Sequence, residues 1–157
     1  MIGEPRLSKL RVLVIDDQHN MRKVIRTMLA ALGIGNVFEA TNGAHGLDLI
    51  SETKPHVIVL DWDMPLLNGL EFMRLVRRPD YEHSDIPIIM ITGHAERWRV
   101  LEAARLGVHE FLLKPVSTHA LRDRIFSILN TPRPMVRLQD TLLPSPRRTV
   151  VIDTYAR

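Results

Sequence analysis

The chain has 157 residues, of which 45% are apolar and 25% charged, the profile of one soluble globular domain with some chain to spare. It contains no Cys, which excludes disulfides, a thiolate metal site and a cysteine nucleophile and fits a reducing, cytoplasmic setting. The net charge of +3, with a pI near 9.7, raises nucleic acid or an anionic surface as a partner.

That charge is not evenly spread. Residues 131–157 carry five Arg and two Asp, while residues 1–130 carry 16 basic and 16 acidic residues. The tail also holds four of the ten Pro and none of the eight Gly. The excess belongs to an appendage, so the chain divides into a short lead (1–8), a neutral body (9–130) and a basic, Pro- and Arg-containing tail (131–157). The lead has no apolar stretch of signal-peptide length, and no run approaches the ~20 apolar residues of a membrane span.

Within the body, residues 10–15 form a short apolar run that ends in Asp16-Asp17 and reads as a buried strand. Met21, Val24, Ile25, Met28, Leu29 and Leu32 then fall at helical spacing, stopped by Gly33 and Gly35. Residues 37–40 are a short strand, Asn42-Gly43 a turn, and 44–52 a helix with Leu47 and Ile50 inward. Residues 57–60 are an apolar strand ended by Asp61. A loop with Pro65 and Gly69 leads into a helix over 70–76. A strand over 86–91 ends at Thr92-Gly93, a helix over 95–106 ends at Gly107, and 111–113 closes a fifth strand before Lys114-Pro115. Leu121, Ile125, Ile128 and Leu129 mark the last helix.

Strand and helix thus alternate five times, and the middle strands are apolar on both faces. Both features predict an α/β fold with a five-stranded parallel sheet, doubly wound, covered by helices on each side. In such a fold the functional crevice lies outside the carboxyl ends of the strands. Asp16 and Asp17, Asp61, Thr92 and Lys114 all stand at those ends. Clustered carboxylates repel one another, and a hard cation such as Mg²⁺ relieves the repulsion. Together with a Lys and a hydroxyl they make a site for a phosphoryl group, with a carboxylate as nucleophile. Singly, a strand-terminal Asp is a turn former and a Lys before Pro a loop residue; their joint placement is what carries the reading.

These residues resemble the receiver domain of bacterial two-component response regulators. The matching strings are Val14-Ile15-Asp16-Asp17, Leu60-Asp61-Trp62-Asp63-Met64-Pro65, Asn68-Gly69-Leu70-Glu71, Ile91-Thr92-Gly93 and Leu113-Lys114-Pro115, in order over about residues 9–130. Several stretches are most similar to stand-alone chemotaxis-type receivers. The resemblance implies a flavodoxin-like sheet of order 2-1-3-4-5. It implies that Asp61 accepts a phosphoryl group from a histidine kinase or phosphotransfer protein. Asp17 and Asp61 would bind Mg²⁺ directly, with the backbone carbonyl of Asp63 as a third ligand and Asp16 acting through water. Lys114 would pair with the phosphoryl oxygens, and Thr92 would hydrogen-bond one of them. Phe111 falls at the switch-aromatic position, and the Lys114-Pro115 bond is expected to be cis. The fourth helix, fifth strand and fifth helix would form the phosphorylation-dependent surface for a downstream target.

The acidic Asp63 and His94, two residues after Asp61 and Thr92, are expected to tune phosphoryl lifetime. The other six His read as surface or cap residues. Trp98 reads as either half-buried beside the sheet or an exposed partner anchor. In the tail, 131–134 reads as an extended linker, Leu142-Leu143 and 150–152 as apolar enough to dock, and the whole as a docking or dimerising arm with no room for a DNA-binding domain. A haloacid-dehalogenase-like Mg²⁺ phosphotransferase is the nearest rival, since Asp61-Trp62-Asp63 imitates its Asp-x-Asp motif. There, however, the acidic pair follows the nucleophile, and here it precedes it. A phosphate-independent binding adaptor and a nucleic-acid binder resting on the basic tail are the remaining readings.

Overall fold

A computed structural model describes residues 7–94 and 96–146. After a 3₁₀ turn (Leu7–Lys9) the chain runs β1 (Arg11–Ile15), α1 (His19–Ala31), β2 (Asn36–Ala40), α2 (Gly43–Thr53), β3 (Val57–Asp61), α3 (Gly69–Val76), β4 (Ile88–Thr92), α4 (Arg97–Arg105), β5 (Glu110–Leu113), α5 (Thr118–Asn130), β6 (Met135–Leu138) and β7 (Thr141–Pro144). The first five strands form one parallel sheet in the order β2-β1-β3-β4-β5. This is the predicted doubly wound architecture.

The apolar runs are explained by burial on both faces. Val12, Val14, Val57, Val59, Ile89 and Ile91 point to one side, where Ile25 and Leu29 of α1 and Leu121 and Ile125 of α5 cover them. Their neighbours Leu13, Ile15, Ile58, Leu60, Ile88 and Met90 point to the other, under Ile50 of α2, Phe72 and Met73 of α3 and Ala103 of α4. Successive strand residues face opposite layers, so a continuous apolar run serves both. Asn42, Asn68 and Ser117 cap α2, α3 and α5 by accepting from the backbone N–H three residues on.

Two expectations are corrected. Val24 is exposed; the inward stripe of α1 is Arg22, Ile25 and Leu29. Arg22 takes the inner place because its guanidinium donates to the Asp16 carbonyl (2.9 Å) and faces the Glu39 carboxylate (3.4 Å). His109 is not a surface or cap residue: it is half-buried, with Nδ1 3.2 Å from the Arg77 guanidinium. Beyond its Pro run the tail folds into an antiparallel hairpin, β6 on β7, which the sequence reading did not anticipate.

That hairpin docks on the body, at the end of the sheet opposite the strand-terminal acids. The Leu142 N–H donates to the Arg77 carbonyl (2.9 Å), and Arg133 donates to the His109 carbonyl. Beneath it, Arg77 is fully buried, and its guanidinium donates to the carbonyls of Gly107 (3.0 Å), Ser84 (2.6 Å) and Ile86 (2.6 Å). Gly107 adopts φ +93 where a Cβ would meet the Leu142 carbonyl at 2.6 Å, so α4 ends in a residue that makes room for the hairpin. Residues 150–152 and the Arg147-Arg148 pair lie outside the described residues.

Candidate functional site

Each parallel strand delivers its last residue to the same edge. Asp61 is the final residue of β3, Thr92 of β4, while Asp16 follows β1 directly and Lys114 follows β5. Asp61 is 3% exposed and Asp16 1%, unusual burial for carboxylates, whereas Asp17 is exposed. Carboxylate oxygens of Asp16, Asp17 and Asp61 all lie within 4.8 Å of one another. The Lys114 ammonium reaches Asp61 Oδ1 at 3.1 Å and Asp16 Oδ2 at 4.0 Å. The Lys114 backbone N–H donates to the Thr92 carbonyl (2.7 Å), which fixes the residue beside β4, and the Lys114-Pro115 bond is cis, as expected.

Electrostatics set the character of the pocket. Burial, followed by the neighbouring Asp16 charge, pushes the Asp61 carboxyl up to about 6, against the downward pull of Lys114. Burial also raises Asp16, although the Gln18 N–H donates to its Oδ1 (2.9 Å). One ammonium does not offset three crowded carboxylates. All-oxygen donors without Cys or His suit a hard divalent cation, and the residual negative charge supplies the reason to bind one. The fit to Mg²⁺ therefore rests on this donor set and its unrelieved repulsion.

Two predicted site residues lie away from this cluster. The Asp63 carboxylate is not part of it; it is half exposed and turns to Arg99, with Arg99 Nη2 3.3 Å from Oδ1. The His94 ring is exposed, 3.8 Å from Glu96, and contributes through its backbone N–H, which donates to Thr92 Oγ1 (3.1 Å). Thr92 itself is fully buried. Phe111 is half-buried and meets Trp62 edge-to-face, with centroids 6.4 Å apart. Trp98 is exposed, its edge toward Trp62 at 6.3 Å.

Sequence reasoning missed Arg99. Its guanidinium sits over Trp62 (4.5 Å to the centroid), with Nη1 3.2 Å from Thr92 Oγ1. The available signal is weak: α4 begins with Arg97 and Arg99 and has no acid in its first turn, against the preference of a helix's electropositive end. Gly69, which reads as a loop residue and belongs to the Asn68-Gly69-Leu70-Glu71 string, is the first residue of α3. Its backbone packs so closely that a Cβ would stand 2.8 Å from the Asp61 carbonyl, which seats α3 directly against the acceptor strand.

The family model for the response regulator receiver domain matches residues 12–126. The chain belongs to the response regulator receiver family. Among curated relatives, a chemotaxis protein CheY homolog of Campylobacter jejuni is 34% identical over 123 residues, covering 78% of this chain and 94% of that protein. Chemotaxis protein CheY1 of Helicobacter pylori is 36% identical over 125 residues, covering 78% and 98%. The solved structure of Vibrio cholerae chemotaxis protein CheY4 superposes with a TM-score of 0.68 at 27% identity, over 74% of this chain and 95% of that one. The receiver assignment places the protein among signalling proteins of two-component systems rather than classical enzymes, and it disfavours the phosphotransferase and adaptor readings. CheY-like receivers act between a histidine kinase or phosphotransfer protein and a downstream target. Among the described residues no helix is long and apolar enough to cross a membrane.

Proposed function

We propose that Asp61 is the phosphoacceptor of this receiver and that the phosphoryl group it carries controls a surface on α4, β5 and α5. The observation that carries the reading is the buried Asp61 carboxylate with the Lys114 ammonium at 3.1 Å and two further carboxylates in reach of one cation. Attack by an Asp61 oxygen on the phosphorus of a phosphohistidine forms the carboxyl O–P bond and breaks the N–P bond, and the departing imidazole nitrogen takes a proton. Lys114 neutralises phosphoryl oxygens as charge moves onto the aspartyl group, and Thr92 donates a hydrogen bond to one of them. Asp17, Asp61 and the Asp63 carbonyl would hold Mg²⁺, with Asp16 acting through water, and the bound ion would supply charge neutralisation at the phosphoryl oxygens.

Thr92 links the site to the surface. If its hydroxyl moves to the phosphoryl group, it vacates space that the half-buried Phe111 ring can fill. The exposed Trp98, Leu101 and Leu113 lie on the affected elements and give the target an apolar contact. We assign Asp63 and the residue at 94 to tuning of phosphoryl lifetime; unchanged decay in both Asp63→Asn and His94→Ala would remove that assignment. The body over 9–130 is the receiver unit and the docked hairpin an addition to it. The absence of Cys supports a cytoplasmic setting.

The test is direct. Incubation with a small phosphodonor and Mg²⁺ should add one phosphoryl group by intact mass, and Asp61→Asn should abolish the addition. No addition to the wild type, or equal addition to the variant, overturns the proposal.

A further inference from the structure

Arg99 lies at the rim of the phosphoryl site, where the mechanism above gives it no task. Its side chain is only 16% exposed, and its guanidinium rests on two indole rings, 4.5 Å from the centroid of Trp62 and 5.5 Å from that of Trp98. The rings hold the guanidinium by cation–π attraction and fix its plane. From that shelf Nη1 lies 3.2 Å from Thr92 Oγ1 and 3.4 Å from each Asp63 carboxylate oxygen. A guanidinium only donates, and a hydroxyl has two lone pairs and one proton. Thr92 Oγ1 accepts from Arg99 and from the His94 N–H (3.1 Å), so both lone pairs are taken and its proton must be given away. At rest, among the described residues, the proton faces the Asp63 carboxylate, at a long 3.5 Å.

We infer that Arg99 is a positioning residue for the phosphoryl group: it neutralises Asp63 at the mouth of the site and, by donating to Thr92 Oγ1, leaves the Thr92 hydroxyl to act as a donor to the phosphoryl group. This rests on the reading of Asp61 as acceptor. An acid two residues past an acceptor repels the incoming phosphoryl charge and competes for the Thr92 proton. Arg99 removes both difficulties at once, and it does so from α4, so the helix that bears Trp98 is tied to the state of the site. A unit charge at the rim of the site, partly screened by water, changes phosphoryl binding by about tenfold.

The experiment titrates beryllofluoride, a stand-in for the phosphoryl group, with saturating Mg²⁺ into the full chain, followed by fluorine NMR. Arg99→Gln should weaken binding about tenfold, and Arg99→Gln combined with Asp63→Asn should restore it to within about threefold of wild type, since the charge needing compensation is gone. Arg99→Lys, which keeps the charge and guards against misfolding of the Gln variant, should fall between the two. Wild-type affinity in Arg99→Gln, or a loss that Asp63→Asn does not repair, overturns the inference while leaving Asp61 as acceptor. Failure of wild type to bind, or equal binding by Asp61→Asn, overturns the acceptor reading itself.

Discussion

Replacing Asp61 with Asn should stabilise the metal-free protein, by an amount that depends on pH. In the folded protein this carboxyl is held at about 6 by burial and by Asp16, against 3.8 when exposed. Between those values the folded state binds more proton than the unfolded one. Its contribution is therefore fully present below about pH 3.8 and is lost as the pH rises through about 6. The group is almost inaccessible, so solvent relieves little of this, and by about pH 7.5 the penalty reaches about 3 kcal/mol. Asn keeps the shape without the charge. Urea unfolding in the presence of a chelator, followed by Trp fluorescence, should show the variant about 3 kcal/mol more stable than wild type near pH 7.5 and nearly equal near pH 3.5. A difference independent of pH, or a variant less stable at neutral pH, would refute the view of Asp61 as a strained, buried charge.

Other consequences follow from the same geometry. Mg²⁺ should raise the melting temperature of wild type strongly near pH 7.5 and weakly near pH 5, where protonated Asp61 competes with the ion, and scarcely at all in Asp17→Asn; an increment equal at both pH values would contradict the acidic cluster as its site. Arg77→Met should destabilise the fold by at least about 3 kcal/mol, since the carbonyls of Ser84, Ile86 and Gly107 lose their donors in a dry interior, measurable by urea unfolding. Gly69→Ala should slow phosphorylation as well as lower stability, because the Cβ would press on the backbone of Asp61 and Trp62 (2.8 and 2.9 Å); a normal phosphorylation rate in a folded variant would show that α3 does not seat the acceptor.

The body of the fold was legible because its physics is local and repetitive. Buried parallel strands need apolar residues on both faces, and a run such as residues 57–60 ending in Asp61 states both the strand and the position of its functional end. The crevice followed from the chain order of those ends. What escaped depended on contacts between distant residues. Arg22 lies three and seven residues before Ile25 and Leu29, on their face of α1, while Val24 lies nearly opposite; an arginine there reads as surface until the Asp16 carbonyl and Glu39 are seen to hold it inward. Arg77 reads as one more surface cation until three carbonyls close around it. The hairpin gave no turn signal: its two-residue turn is Gln139-Asp140 with Gln139 at φ +54, where Asn or Gly is the usual choice, and its strands have four residues each. Arg99 was hidden for a related reason, since its partners Thr92, Asp63 and Trp62 come from two other strand ends.

The central claim is that the phosphoryl group is carried by Asp61. It is tested most directly by treating the protein with a small phosphodonor and Mg²⁺, reducing the acyl phosphate with borohydride, and mapping the peptides by mass spectrometry. The reduction should convert Asp61 to homoserine and leave Asp16, Asp17 and Asp63 unchanged. Conversion at one of those three residues, or a phosphoryl group found on a His instead, would contradict it.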